Sequence, residues 1–234
     1  MLDTLMIALP NSWLAVLLTA LCAYLLGSIS TAIIVVRVLY REDVRDKGSG
    51  NAGATNALRN YGTKAAVLTT IGDLAKSIIA VFLGGFLLVH LQLTHAPEIS
   101  EESLRMIGRY LGGMCCVLGH LYPVFFGFRG GKGVMASLGL IIILDWRVAI
   151  ICLSVFIVTL LISRMVSLSS VLGVFVSAFL VYLFHTYVDH HSPETVLFCT
   201  TVIAVISAIV IIKHHSNIGR IVKGEESRIS FKKK

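Results

Sequence analysis

A chain of 234 residues that is 56% hydrophobic and only 14% charged, with a mean hydropathy of +0.85, lies outside the soluble class, where about 25% of residues are charged. A bilayer core is the solvent that penalises charge and tolerates continuous apolar surface. The net charge of +7 sits in short segments between apolar runs, which points to membrane topology and anionic ligands rather than nucleic acid.

No Lys or Arg precedes Arg37, so the basic n-region of a cleavable signal is missing and the first apolar run is expected to be a retained span. Leu21, before Cys22, is too large for a lipoprotein-type cleavage site. A span needs about 20 apolar residues. The runs that meet this are 13–36, 65–93 (interrupted by Asp73 and Lys76), 110–128, 165–188 and 195–212. The segment 134–163 is broken by Asp145, Trp146 and Arg147 into runs of 11 and 16 residues. It reads as two short spans meeting at a tight extracytoplasmic turn, or as one kinked helix.

Charge decides between these. With seven spans, the loops 37–64, 122–133 and 163–166 and the C-terminal tail share one side, which then holds 16 of the 20 Lys and Arg residues. The positive-inside rule makes that side cytoplasmic and leaves the N-terminus outside. Six spans would separate the basic tail from the 37–64 loop. The expected fold is therefore an all-α integral membrane protein with seven transmembrane helices and short re-entrant or interfacial segments on the cytoplasmic side. It is expected to form a single domain over 1–234, without internal repeats, and with a basic tail over 223–234 that frays. Cys22, Cys115, Cys116, Cys152 and Cys199 all lie in apolar stretches without a CxxC pair, and read as packed side chains.

Three polar segments carry the chemistry. In 43–59, Gly48, Ser49, Gly50 and Asn51 let backbone N–H groups converge near a helix start, a concavity suited to phosphate or a developing oxyanion. Arg45, Lys47 and Arg59 add positive charge. Gly48, Gly50 and Gly53 formally match a dinucleotide fingerprint, but the required preceding strand is replaced by an apolar span. In 119–134, His120 and Pro123 lead into Arg129, Gly130, Gly131, Lys132 and Gly133. The spacing fails the Walker pattern, yet glycines on both sides of Lys132 let its ammonium approach a phosphate. His120, at an apolar helix end, reads as a structural hydrogen-bond partner. In 214–220, His214 and Asn217 share a helix face at i,i+3 and suit a polyol.

Asp73 lies nine residues past Lys64, about 14 Å along a helix. With Lys76 at i,i+3 it forms either a structural ion pair or a support for the site. His185, Asp189, His190 and His191 cluster on the expected outer side, as a solvated loop in preference to a metal site.

With these segments in place, the chain resembles the bacterial membrane acyl-phosphate:glycerol-3-phosphate acyltransferase family. The family pattern has an early Gly-Ser, a GSGNxGATN loop, a GHxxPxFxxFxGGKG segment and a terminal HxxNIxR followed by Gly-Glu. These appear as Gly27-Ser28, 48–56, 119–133, and 214–220 with Gly224-Glu225. Two positions depart: Ser30 stands where the family often has proline, and Ser77 where a glycine commonly follows the intramembrane lysine.

The resemblance implies transfer of a fatty acyl group from acyl phosphate to the 1-hydroxyl of glycerol-3-phosphate, the first acylation of phospholipid synthesis, with no cofactor or metal. It implies a multi-pass protein of the bacterial inner membrane, with the active site and C-terminus cytoplasmic and with no nucleic-acid or obligate protein partner. Ser49 and the loop amides would contact phosphate, Arg59 and Lys132 would neutralise it, and His214 and Asn217 would hold glycerol-3-phosphate. Arg45, Gly48, Gly50, Asn51, Thr55, Asn56, Gly130, Gly131 and Gly133 complete the expected substrate-binding set. Asp73, Lys76, His120 and Arg220 are expected to support it. A small anion transporter and an acyl-CoA-dependent acyltransferase are the alternatives. The absence of any His-x-x-x-x-Asp pair argues against the acyltransferase class built on that dyad.

Overall fold

The structure is a computed structural model that describes residues 2–92 and 100–229. The last five residues of the tail expected to fray lie outside the described residues. Among the described residues the chain is helical, with no strand, and falls into two compact units, 1–144 and 145–234. Five helical stretches are long and apolar enough to cross a membrane: Trp13–Tyr40, Ala54–Leu91, Trp146–Ser163, Val166–Val188 and Pro193–Lys213.

In the first unit the apolar run 13–36 is not one helix. It divides into α1 (Leu2–Gly27) and α2 (Thr31–Tyr40), with Ser30 in extended geometry at φ −82°. That φ is close to the value proline imposes, so the break persists where the family often carries proline. Gly27 lies so close to the backbone of Cys116 that any Cβ would collide with it.

Helix α3 (Ala54–Gln92) begins well before the apolar run at 65, and Gly62 interrupts it with φ 84° and ψ −176°. Nothing lies within 4 Å of a Cβ built there, so the constraint is conformational. Gly62→Ala is expected to cost about 1–3 kcal/mol, the range for backbone held in a glycine-only region, as a lowered unfolding midpoint in detergent.

Helix α4 (Glu101–Leu121) starts on Ser100, whose Oγ accepts from the Ser103 N–H at 3.2 Å. The apolar run 110–128 was expected to continue as one span. The helix stops at Leu121 because Pro123 follows, disfavouring helical backbone before it and supplying no N–H, and a single 3-10 turn (Val124–Phe126) replaces the last part. Small residues let α3 and α4 meet at backbone distance: a Cβ on Gly84 would strike Gly108 and Gly112, and one on Gly112 would strike Ala80. Such small-x-x-x-small faces drive helix association in lipid, where van der Waals packing replaces the hydrophobic effect.

Helix α5 (Val134–Leu144) and α6 (Trp146–Ser163) are separate helices. Asp145 caps α6, its carboxylate accepting from the N–H groups of Arg147 at 3.0 Å and Val148 at 3.5 Å. The second unit continues with α7 (Val166–Leu183), a π turn (Phe184–Val188), α8 (Pro193–Lys213) and the short α9 (His215–Val222). Helices α6, α7 and α8 pack in sequence as antiparallel neighbours. Their lipid-type surface is plain: Ile162, Phe175 and Phe179 are all more than 60% exposed. None of the five cysteines forms a disulfide among the described residues.

Candidate active site

The loop between α2 and α3 is organised by a side chain from the helix that follows it. Asn56 is buried, and its Nδ2 donates to the carbonyls of Val44 at 2.7 Å and Lys47 at 3.0 Å. Its Oδ1 accepts from the Ser49 N–H and from Asn60 Nδ2, both at 3.0 Å. With its amide engaged in this way, Asn56 clamps the loop onto the first turn of α3. Gly48 sits at φ +63°, where a side chain would also run into Asn56 and Asn60. Ser49 is left exposed, ahead of Ala52, Gly53 and the start of α3. The Ala57 N–H donates to the Gly53 carbonyl at 3.1 Å. This leaves the N–H groups of Ala54, Thr55 and Asn56 as the unpaired amides of a helix start, where an anion is stabilised.

Most of the loop's positive charge is spent within the loop. Arg45 donates to Asp43 through Nε at 2.9 Å and Nη2 at 2.8 Å, and through Nη1 to the carbonyls of Phe126 at 2.7 Å and Arg129 at 3.4 Å. It therefore ties the first loop to the second. The Arg45 guanidinium, helped by Arg37, holds the Asp43 carboxyl well below the usual carboxylate range. Lys47 pairs with Glu42 at 2.6 Å. Arg59 is exposed and forms no ion pair among the described residues.

The second loop lies directly on the first. After α4, Gly127 and Phe128 both adopt left-handed backbone and turn the chain, and the Gly131 N–H returns to the His120 carbonyl at 3.1 Å. A Cβ on Gly131 would meet the His120 ring and lie 2.8 Å from the Ala52 carbonyl. Backbone approach at Gly131 thus sets Lys132 beside the glycine-rich loop. Gly130 is packed as tightly, against the His120 carbonyl, and Gly133 turns the chain at φ +88° into α5.

Beneath the loops, Lys76 Nζ lies 2.9 Å from Asp73 Oδ1, 2.9 Å from His120 Nδ1 and 2.9 Å from the Ile29 carbonyl, the last exposed by the break between α1 and α2. The Thr31 hydroxyl donates to Asp73 Oδ1 at 3.2 Å. All three ionisable side chains are buried. An ammonium only donates, so His120 Nδ1 accepts from it and the ring proton belongs on Nε2, which faces Gly131. Asp73 and Lys76 form an ion pair, and His120, in contact with both, backs the second loop. Ser77, the departure from the family pattern, is accommodated: its hydroxyl donates to the Asp73 carbonyl at 3.1 Å.

In the second unit, His214 is buried and its Nδ1–H donates to the Val210 carbonyl at 2.8 Å, which turns Nε2 into an acceptor. Asn217 is also buried, and its Nδ2 donates to Glu226 Oε1 at 2.7 Å. The same carboxylate accepts from the Ser167 hydroxyl at 2.7 Å and, through Oε2, from Arg220 Nε at 2.7 Å. A turn at Gly224 sends Glu226 back onto α9. Burial works to raise the Glu226 pKa, but the hydrogen bonds from Ser167, Asn217 and Arg220 outweigh it and the net shift is downward. A carboxylate with a lowered folded-state pKa contributes stability that is complete above the unfolded value and is lost as pH falls through the folded one. Amide protection of α9 is expected to drop on acidification and, in Glu226→Gln, to be low at neutral pH and less sensitive to acid.

Sequence reading missed Asp43, Asn60 and Glu226, whose work is to hold other side chains. The nearest signals were Asp43 two residues before Arg45, Asn60 at i,i+4 from Asn56, and the Gly-Glu following the third motif.

Membrane-length helices, glycine-shaped cationic loops and a buried ion pair together mark a multi-pass membrane protein. The profile of the glycerol-3-phosphate acyltransferase family matches residues 17–224. Glycerol-3-phosphate acyltransferases from Clostridioides difficile (strain 630) and Shewanella baltica (strain OS155) are 37% and 38% identical, over 93% of this chain in each case and over 97% and 95% of theirs. Among solved structures, PlsY (YgiH), an integral membrane glycerol 3-phosphate acyltransferase, is similar in its glycerol 3-phosphate form with a TM-score of 0.70 at 32% identity, covering 92% of this chain and 96% of that one. The chain belongs to the glycerol-3-phosphate acyltransferase family, the membrane acyltransferases of phospholipid synthesis.

Proposed function

We propose that the chain transfers a fatty acyl group from acyl phosphate to the 1-hydroxyl of glycerol-3-phosphate, releasing 1-acyl-glycerol-3-phosphate and inorganic phosphate. The observation that carries this reading is the close approach of the Gly131 backbone to the Ala52 carbonyl, which brings the segment that holds Lys132 beside the Gly48–Gly53 loop. An acyl phosphate is already activated, so the protein has chiefly to orient it and to stabilise charge on the departing phosphate. The C–O bond to phosphate breaks as the acceptor oxygen bonds to the acyl carbon. The hydroxyl proton passes to the leaving phosphate or to the acceptor's own phosphate, without an acyl-enzyme.

In this mechanism Ser49, Gly50, Asn51 and Thr55 present hydrogen-bond donors to phosphate, and Arg59 and Lys132 neutralise it. Gly48, Gly130, Gly131 and Gly133 give the backbone its close approach, and Arg45 and Asn56 hold the two loops in shape. His214 and Asn217 are assigned to glycerol-3-phosphate, with Arg220 supporting Asn217 through Glu226. Asp73, Lys76 and His120 support the second loop from below. Crystal forms of PlsY with glycerol 3-phosphate and with lysphosphatidic acid favour the same acceptor and product here.

The same reading gives seven spans in the bacterial inner membrane, with the N-terminus outside and the C-terminus cytoplasmic. It counts α4 and the short α5, about 16 Å long, as crossings on the strength of the basic loops they separate. The family match runs without interruption through both units, which favours one acyltransferase domain.

The test supplies the purified protein in detergent with labelled glycerol-3-phosphate and either acyl phosphate or acyl-CoA. Labelled 1-acyl-glycerol-3-phosphate is expected from acyl phosphate alone. Product from acyl-CoA alone would reassign the donor, and product from neither would reject the reaction.

A further inference from the structure

The second unit gathers a different set of groups at the opposite end of α8 from α9, about 30 Å away along a 21-residue helix. There the π turn at the end of α7 draws the Asp189 N–H to the Phe184 carbonyl at 2.9 Å. His190 then adopts left-handed backbone at φ 51°. This folds the chain back so that the His191 N–H donates to the His185 carbonyl at 2.9 Å, and the two imidazoles stand edge to face at 5.0 Å. One ligand atom from each of His185, Asp189 and His191 lies within 4.8 Å of the others. His185 is only 6% exposed, and its Nδ1 has no hydrogen-bond partner among the described residues. A buried imidazole nitrogen without a partner is costly.

The carboxylate is already oriented. Arg147 donates to Asp189 Oδ1 at 2.8 Å and Oδ2 at 2.6 Å, and to Asp145 Oδ2 at 2.8 Å. Each carboxylate oxygen keeps a second lone pair. Two carboxylates, one guanidinium and neutral imidazoles leave a net negative site. We infer that His185, Asp189 and His191 bind one divalent transition-metal ion of the zinc type, with water completing the coordination. Two nitrogen ligands and one oxygen fit zinc or cobalt and exclude calcium and magnesium, which take oxygen ligands. Arg147 and Asp145 orient Asp189 from behind, as outer partners of metal ligands do. The ion fastens the end of α7 to the chain entering α8.

The test is calorimetric titration of the full-length, tag-free, chelator-treated protein in detergent with Zn²⁺, and absorption spectroscopy with Co²⁺. One equivalent of Zn²⁺ is expected to bind and to raise the melting temperature, and Co²⁺ to give the intense visible bands of a low-coordinate site. His191→Ala and Asp189→Asn alter exposed and half-buried side chains, and each is expected to raise the Kd at least about tenfold, the lower limit for losing even an outer partner. His190→Asn preserves the left-handed turn and is expected to leave binding unchanged. Absence of stoichiometric binding overturns the inference. So does binding that survives both ligand variants, or that depends on His190 instead.

Discussion

Alanine at Lys132 is expected to lower kcat for acyl transfer about 10²–10³-fold, the loss typical of removing one preorganised group that stabilises transition-state charge, while insertion and melting temperature stay at wild-type values. The side chain stands between two buried glycines: Gly131 is packed against His120 and Ala52, and Gly133 makes a left-handed turn into α5. The truncation therefore removes an ammonium from a loop whose course is set by its glycines. Lys132→Arg is expected to recover only part of the rate, because a planar fork replaces a compact point charge at a site cut for close approach. Ser49→Ala should likewise lose turnover with folding intact, since Ser49 is exposed and the loop's clamp is Asn56. A steady-state assay with acyl phosphate and glycerol-3-phosphate, paired with a melting curve, reads both quantities. Full activity in Lys132→Ala and Ser49→Ala would remove the anion site from these loops.

Much of this architecture was legible in the sequence because a bilayer permits few solutions. Apolar runs gave the helices of the second unit within a few residues, and the Asp145, Trp146 and Arg147 interruption marked the boundary between α5 and α6. The failures have a common cause. The breaks at 28–30 and after Leu121 lie within apolar stretches, where hydropathy is blind to backbone geometry. They are stabilised by partners distant in sequence: Lys76 on the Ile29 carbonyl, and Arg45 on the carbonyls of Phe126 and Arg129. At the site, residue types pointed to an anion. They did not tell which cations face the ligand and which are consumed in the protein. Arg45 and Arg59 look alike in sequence, yet Arg45 is tied to Asp43 and the second loop while Arg59 forms no ion pair among the described residues.

Lys76→Met is expected to destabilise the protein by about 3–5 kcal/mol, the cost of leaving one member of a buried ion pair without the other. Lys76 and Asp73 are 5% and 2% exposed, so neither water nor headgroups can replace the lost partner. The substitution also abandons the Ile29 carbonyl and one nitrogen of His120. Removing both charges, in Asp73→Leu with Lys76→Met, is expected to be less damaging than the sum of the single changes, since no lone charge then remains buried. The residual cost belongs to the Ile29 carbonyl, the Thr31 hydroxyl and His120 Nδ1, about 1–3 kcal/mol for each group left unsatisfied. Denaturant unfolding in detergent across the four proteins gives the coupling directly. A single Lys76→Met variant as stable as wild type would mean that Asp73 carries no charge in the folded state. The activity of the double variant separates support of the site from support of the fold. His120 would keep its place between α4 and Gly131 but lose the ammonium that fixes its ring, so turnover should fall further than stability alone accounts for, and KM for acyl phosphate should rise.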